Sequence, residues 1–408
     1  MQAHSPSSAG SPRTPGQTTD RFIVQKAHER GVASVELWGT APSGRLHTVT
    51  LPRDALEVVL EEGYSTSAES FEAGGLGREL ILAPDPASFQ LLPRGGEAEA
   101  TGRLICDFRA PDGSPSPLCS RSVLKSALGR AAQRGSNFYV GATLEHRWLE
   151  ASHDGPPRPL RDAKKARALA DATARGLDAL GIAWRSHSAR SASHQAFELE
   201  WMDPLMLADA LVTHRWLIRE VARAAGLDAT LMPVPWTDAT RSRLDLYVSL
   251  VEDHASAFLD PLGPDGLSPG ARAFVTALEA ELGGLALIVR GTVNSFSAAD
   301  APWLGVGPAA RGEGGPTVHF GGLDACSNPY LVLALVVAFG LDRDAPRRLE
   351  SRPSDTLVEA ARRAVLSPRI REVLGAPMLE VLAARALGDS AAWRKQVTAW
   401  EIEHYRDL

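Results

Sequence analysis

The sequence predicts an α+β protein, a small β-rich N-terminal module followed by a larger part in which long helices separate single strands. Three observations predict it. Between residues 21 and 115 the apolar pattern has period two: Ala33, Val35 and Leu37 alternate with Ser34 and Glu36, and Leu104, Cys106 and Phe108 with Ile105 and Asp107. From about residue 120 onward, apolar residues recur at helical spacing over 15–25 residues, broken by isolated strands. The length of 408 residues exceeds what one small core organises.

In chain order, residues 1–20 (MQAHSPSSAGSPRTPGQTTD) are too poor in large apolar side chains to offset the entropy of ordering, and a disordered tail is expected. The strands that follow are punctuated by turn stretches at 41–45 (APSGR) and 110–117 (APDGSPSP), with a helical segment over 53–62 between them. The clearest helix opens at Asp203 with Pro204 at its first position. It carries Leu207, Leu211, Ile218, Val221 and Ala225 on one stripe and stops at Gly226. Residues 354–405 read as helices, the last of them amphipathic over 391–405 (AAWRKQVTAWEIEHY).

Three strands carry acids on one face. In TLEHRW, Thr143, Glu145 and Arg147 oppose Leu144, His146 and Trp148. In FELEW, Glu198 and Glu200 oppose Phe197, Leu199 and Trp201; in LDLYVSL, Asp245, Tyr247 and Ser249 oppose Leu244, Leu246 and Val248. Such faces suit a hard divalent cation, and equally the wet side of an antiparallel sheet.

Composition removes several function classes. With 44% hydrophobic and 23% charged residues the chain is neither disordered throughout nor fibrous, and a net charge of -6 argues against a general nucleic-acid binder. No apolar run reaches the roughly 18 residues of a membrane span, and the first residues lack the apolar core of a secretion signal, so a cytoplasmic protein is expected. Cys106, Cys119 and Cys326 give neither a disulfide framework nor a zinc site, and Cys326 reads as a small buried residue rather than a nucleophile. The glycines of 75–79 (GLGRE) and 310–316 (ARGEGGP) match no phosphate-binding fingerprint, and the segment between His187 and His194 reads as a surface loop.

Taken in order, a series of segments resembles the glutamine synthetase family, in its bacterial type and the neighbouring γ-glutamyl-amine ligases. These are PDPASFQLLP (84–93), CDFRAPDGSPSPLCSRSVLKSAL (106–128), VGATLEHRW (140–148), the long helix ending in ATLMPVP (229–235), RSRLDLYVSL (241–250), VNSFSAADAP (293–302), NPYLVLALVVAFGLD (328–342) and the terminal W-E-x-E-x-Y. The resemblance implies a β-grasp-like N-terminal domain over 21–115 and, over 116–408, a glutamine-synthetase-type catalytic domain whose curved antiparallel sheet forms a funnel. It also implies a ring-shaped homo-oligomer, in this family usually a dodecamer; charge and hydropathy already argue against a nucleic-acid or membrane partner. The family's reaction phosphorylates a small-molecule carboxylate with ATP and lets an amine displace the phosphate, assisted by magnesium or manganese; both cofactors are implied here.

The resemblance also assigns residues. Asp300 falls at the flap acid that takes a proton from ammonium; Arg311, Asn294 and Tyr247 fall at positions facing substrate or phosphate; Glu145, Glu198, Asp245 and His319 form the implied metal set. Against this, Thr143 stands where the first of two paired metal glutamates belongs, and Arg190 replaces another glutamate ligand. Tyr247 replaces the substrate histidine, and Arg241 and Arg243 replace flanking glycines. Val234, Ala298 and Gly321 replace a lysine and two arginines, and Ser67 falls near the ammonium-site aspartate. The expected protein is therefore a catalytically impaired homologue, or alternatively a divergent carboxylate–amine ligase with a non-standard substrate.

Overall fold

A computed structural model of the chain describes residues 15–74, 77–93, 100–150, 156–263, 266–296, 302–307, 315–341 and 353–407. Its first element, α1 (Pro15–Glu29), takes in the last six residues of the segment expected as a tail; residues 1–14 lie outside the described residues. Next come β1 (Val32–Thr40), β2 (Leu46–Pro52), α2 (Leu56–Glu62), β3 (Tyr64–Ser67), β4 (Glu79–Pro84), β5 (Gln90–Leu91) and β6 (Ala100–Arg109). They form a sheet of order β2-β1-β6-β4-β3, with β5 on β6. The β1–β6 pair is parallel and its neighbours antiparallel, a mixed order consistent with a grasp-like module.

The period-two reading of β1 and β6 holds for the pattern but not for its outward face. Ile105 is as deeply buried as Leu104 and Cys106, and Glu36 is buried too, its carboxylate accepting from Trp38 Nε1 at 2.9 Å. Both strands are central and covered on two sides: the ring of Trp38 lies 5.2 Å from that of Trp216, and Arg103 donates to Thr213 at 3.1 Å, both partners belonging to the later helix at Pro204–Ala224.

The remainder of the chain runs α3 (Ser120–Gln133), β7 (Asn137–Glu150), β8 (Arg158–Pro159), α4 (Ala163–Ala179), β9 (Trp184–Ala189), β10 (His194–Met202), α5 (Pro204–Ala224), β11 (Asp228–Thr230), β12 (Arg243–Glu252) and β13 (Ala255–Ser256). After these come α6 (Pro269–Glu279), α7 (Leu282–Val289), β14 (Trp303–Gly307), β15 (Thr317–Asp324), α8 (Pro329–Gly340), α9 (Leu357–Leu366), α10 (Pro368–Leu374), α11 (Ala376–Arg394) and α12 (Ala399–Tyr405). The long strands make a curled antiparallel sheet of order β14-β15-β12-β7-β10-β9. Leu144, Trp148, Phe197, Leu199, Leu244, Leu246 and Val248 are fully buried on its helix-covered side, whereas Thr143, Glu198, Asp245 and Tyr247 are only half-buried on the other.

Local signals work as read at α5. The Asp203 side chain accepts from Leu205 N, Pro204 holds the first turn, and Gly226 follows the C-cap with φ +69°. At the C-terminus the expected single amphipathic helix is two, because Thr398 and Glu401 form a reciprocal capping box that restarts the helix after Arg394. No residue of α12 is buried; Trp400, Ile402 and Tyr405 are all more than half exposed. Among the described residues no helix is long and apolar enough to cross a membrane.

Candidate active site on the open face of the curled sheet

Strand register decides which acids meet. Glu198 of β10 and Asp245 of β12 both pair with Thr143 of the strand between them, so the row reads Glu198–Thr143–Asp245. Two strand spacings separate the carboxylates at roughly 10 Å between Cα atoms, with only a hydroxyl in the middle. Glu198 accepts from Ser186 Oγ at 2.7 Å and lies 4.0 Å from Arg185, which itself pairs with Glu200 at 2.9 Å. Asp245 accepts from the backbone N–H of Gly322 at 2.9 Å.

Glu145 sits one row deeper and is already neutralised. Its Oε1 lies 3.1 Å from Arg190 Nη2, and its Oε2 receives His194 Nε2 at 3.1 Å and the Arg243 N–H at 3.1 Å. Burial would push this carboxyl up; the His194 hydrogen bond and the charges of His194, Arg190 and Arg243 outweigh it and hold Glu145 below the usual range. His187 and His194 flank an exposed loop, as read from sequence, which is the turn of a β9–β10 hairpin; in it His194 is buried and His187 bonds Gln195 at 2.8 Å. Counting back four residues from Glu198 along the strand puts His194 on the same face, opposite Arg147 and diagonal to Glu145.

The next row is aromatic. Tyr247 pairs with Gly141 on one side and His319 on the other, and its ring stacks on His319 at 4.4 Å. Trp303 meets His319 edge-on at 4.2 Å and covers Gly321, where a Cβ would fall 2.5 Å from the indole. Trp201 covers Gly141 in the same way, 3.3 Å from where its Cβ would stand. Burial lowers the His319 pKa, against Asp245 and with Arg243, and burial raises that of Tyr247.

The implied metal set does not converge: among the described residues no three His, Cys, Asp or Glu side chains are grouped to hold a cation. The donor chemistry explains why. Glu145 faces two guanidinium groups and a histidine, a hydroxyl stands between Glu198 and Asp245, and His319 lies between two aromatic rings. These residues do not fit a divalent ion. Asn294 is also committed elsewhere, its Oδ1 accepting from Val234 N and its Nδ2 donating to Val234 O, both at 2.8 Å. Asp300 and Arg311 lie outside the described residues.

A family model for the catalytic domain of glutamine synthetase matches residues 117–298. Glutamine synthetase of Mycolicibacterium smegmatis is 28% identical over 95% of this chain and 99% of its own length; that of Mycobacterium tuberculosis (strain H37Rv) is 26% identical over the same shares. Together these matches support membership of the glutamine synthetase family, as a divergent chain at 26–28% identity. A solved structure titled "GmaS/ADP complex-Conformation 1" has the same fold, with a TM-score of 0.82 at 22% identity over 95% of this chain and 99% of that one. "Apo GmaS without ligand" superposes equally well, at 0.82 and 23%. Family members are ligases dependent on ATP and divalent metal and are generally oligomeric, and this chain is a divergent one.

Replacing Glu145 by glutamine tests the neutralised row. Arg190 is 54% exposed and can turn to solvent, so the expected loss is about 1.5–3 kcal/mol of unfolding free energy, read by urea denaturation at pH 7. No loss would mean that the carboxylate is solvated and open to a ligand.

Proposed function

We propose that this chain is a member of the glutamine synthetase family impaired in ordinary glutamine synthesis. The observation that carries the reading is Glu145, a buried acid held by Arg190, His194 and the Arg243 backbone at 3.1 Å each. Protein cations stand where the family's reaction needs a carboxylate free to bind metal, and removing one preorganised charge-stabilising group costs about 2.7–4 kcal/mol of barrier. Several such groups are altered together here: Thr143, Arg190, Tyr247 and Gly321.

A second reading, a divergent carboxylate–amine ligase, is supported by the ordered aromatic row of Trp201, Tyr247, His319 and Trp303 beside Glu198 and Asp245. Decay by random substitution has no reason to pair two glycines with two indoles. We infer in both cases a cytoplasmic homo-oligomer of the family's ring type; the exposed Trp400, Ile402 and Tyr405 of α12 are apolar surface of the kind that assembly covers.

Phosphate release from ATP with glutamate, ammonia and magnesium or manganese is the deciding assay. We expect no turnover with these substrates and no metal binding lost on Asp245→Ala or His319→Ala. Turnover within about tenfold of an ordinary glutamine synthetase, against the barrier costs above, would overturn the impaired reading. Turnover with another acid or amine, lost on Glu198→Gln, would establish the second.

A further inference from the structure

Behind the sheet, where the β1–β2 turn meets α5, α8 and α11, the fold encloses an open cavity of about 610 Å³. None of the residues of the sheet-face site lines it. Its walls are of two kinds, cationic around Arg45, Arg215 and Arg219 and apolar along Leu231, Leu287 and Leu382. The volume is that of an ordinary small-molecule site.

The charges are unbalanced in a particular way. Arg215, Arg219 and Arg223 follow one another at i, i+4 and i+8 on α5, so three like charges share a stripe, an arrangement that weakens a helix. The outer cations are balanced within the chain: Arg223 pairs with Glu220, and Arg385 with Glu72 at 3.2 Å and Asp389 at 3.5 Å. Arg45, Arg215 and Arg219 have no carboxylate within ion-pair distance among the described residues. Arg45 and Arg219 stand exposed at the mouth, where water can solvate them.

Arg215 at the floor is different. It is only 5% exposed, and its Nη1 donates to Ser327 O at 2.7 Å, but its Nε and Nη2 have no hydrogen-bond partner among the described residues. A buried guanidinium with two idle donors is costly unless an anion completes it. Burial lowers the Arg215 pKa to about 10, Cys326 opposing and the like charge of Arg219 adding to the effect.

The mouth is built as firmly as the floor. Asn328 caps α8 with its Oδ1 and donates through Nδ2 to Ala41 O and Pro42 O, each at 3.1 Å. Gly44, at φ +86°, lets the turn lie so close that a Cβ there would fall 2.9 Å from Asn328 Cα. The turn is therefore pinned, and with it Arg45 is held opposite Arg219. The N-terminal end of α8 adds its partial positive charge to the same cavity.

We propose that this cavity binds a small organic phosphate, with Arg215, Arg219 and Arg45 on the phosphate and the leucine wall against the body of the ligand. Guanidinium forks match phosphate oxygens two at a time, and a dianion offsets three cations better than a carboxylate does. Because the turn comes from the N-terminal sheet and α5 and α8 from the catalytic part, the ligand would tie the two parts together.

The test is calorimetric titration of the full-length protein with phenyl phosphate and with inorganic phosphate, at constant ionic strength set with sodium chloride. Phenyl phosphate is expected to bind about tenfold or more tightly than inorganic phosphate through its ring on the leucine wall, and to raise Tm where chloride does not. Arg215→Met is expected to weaken binding at least about tenfold. Should that variant not fold, the double variant R45Q/R219Q, at exposed positions, gives the same readout with Tm not lowered in the absence of ligand. Undiminished binding in the double variant, a response matched by chloride, or equal affinity for the two phosphates would each overturn the proposal.

Discussion

Replacing Arg121 with methionine should lower the free energy of unfolding by about 3–5 kcal/mol, the range for breaking a buried ion-pair cluster from one side. Arg121, on α3, reaches three acids from three different elements: Asp85 after β4 at 2.8 Å, Asp107 of β6 at 3.2 Å and Asp209 of α5 at 2.9 Å. The guanidinium is 5% exposed and the acids 17–24% exposed, so little water screens the cluster. Burial opposes its charge, but the hydrogen bond and charge of Asp209, with Asp107, raise the Arg121 pKa, and Arg121 in turn brings Asp85 below the usual carboxylate range against burial. Without it, Lys125 still covers Asp107 at 2.5 Å and the Tyr330 hydroxyl still donates to Asp209 at 2.6 Å, yet three half-buried acids then share one cation. Arg121→Lys keeps the charge but not the fork, and an intermediate loss of about 1–3 kcal/mol is expected. Urea unfolding at pH 7 measures both; a loss under about 1 kcal/mol for the methionine variant would show that the cluster is solvated and does not join the N-terminal sheet to the helices.

Where the chain's chemistry is local, it is legible in the sequence. The Asp203–Pro204 start and Gly226 stop of α5 need only neighbouring residues, and they appear where the pattern puts them. The polar and apolar faces of β7, β10 and β12 follow from period two, and the register built from those strands then brings Glu198, Thr143 and Asp245 into one row. What the sequence hides is whatever depends on a second layer or a distant partner. Ile105 alternates as an outward residue but is buried, because α5 covers the other side of β6. Glu145 reads as an available ligand, and only the packed hairpin shows His194 and Arg190 already on it. Asn294 reads as a substrate contact, and only the folded chain ties both ends of its amide to Val234. Trp303 carries no signal at all until β14 lays it over Gly321. The fold is thus carried by many redundant local patterns, while the site rests on a handful of single contacts that no pattern announces.

Acidification should unfold this protein well before its carboxylates titrate, because of two histidines in the core. His146 of β7 and His214 of α5 are fully buried, their rings 6.5 Å apart and both packed against Phe197, with His146 edge-on to Trp148 at 4.4 Å. None of their four ring nitrogens has a hydrogen-bond partner among the described residues. Burial, with the charge of Arg215, lowers His214 to about 3, and burial, with His214, His194 and His187 adding, lowers His146 well below its ordinary value. In the unfolded chain both would titrate near 6.5. Below that pH the unfolded state takes up two protons that the folded state refuses, so stability falls with pH by about 1.4 kcal/mol per unit for each histidine. At pH 4.5 the two together cost roughly 5 kcal/mol, a large share of the 5–15 kcal/mol by which proteins are folded. Glu145 and Asp85, whose folded-state pKa values are depressed, begin to cost stability only in the more acidic carboxylate window. Urea midpoints at pH 7.5, 6.5, 5.5 and 4.5 should therefore fall steeply across the last three, and His214→Leu or His146→Leu should each remove about half of that slope. A wild-type midpoint flat between pH 7 and 5 would mean that these rings reach water in the folded state and carry their protons there.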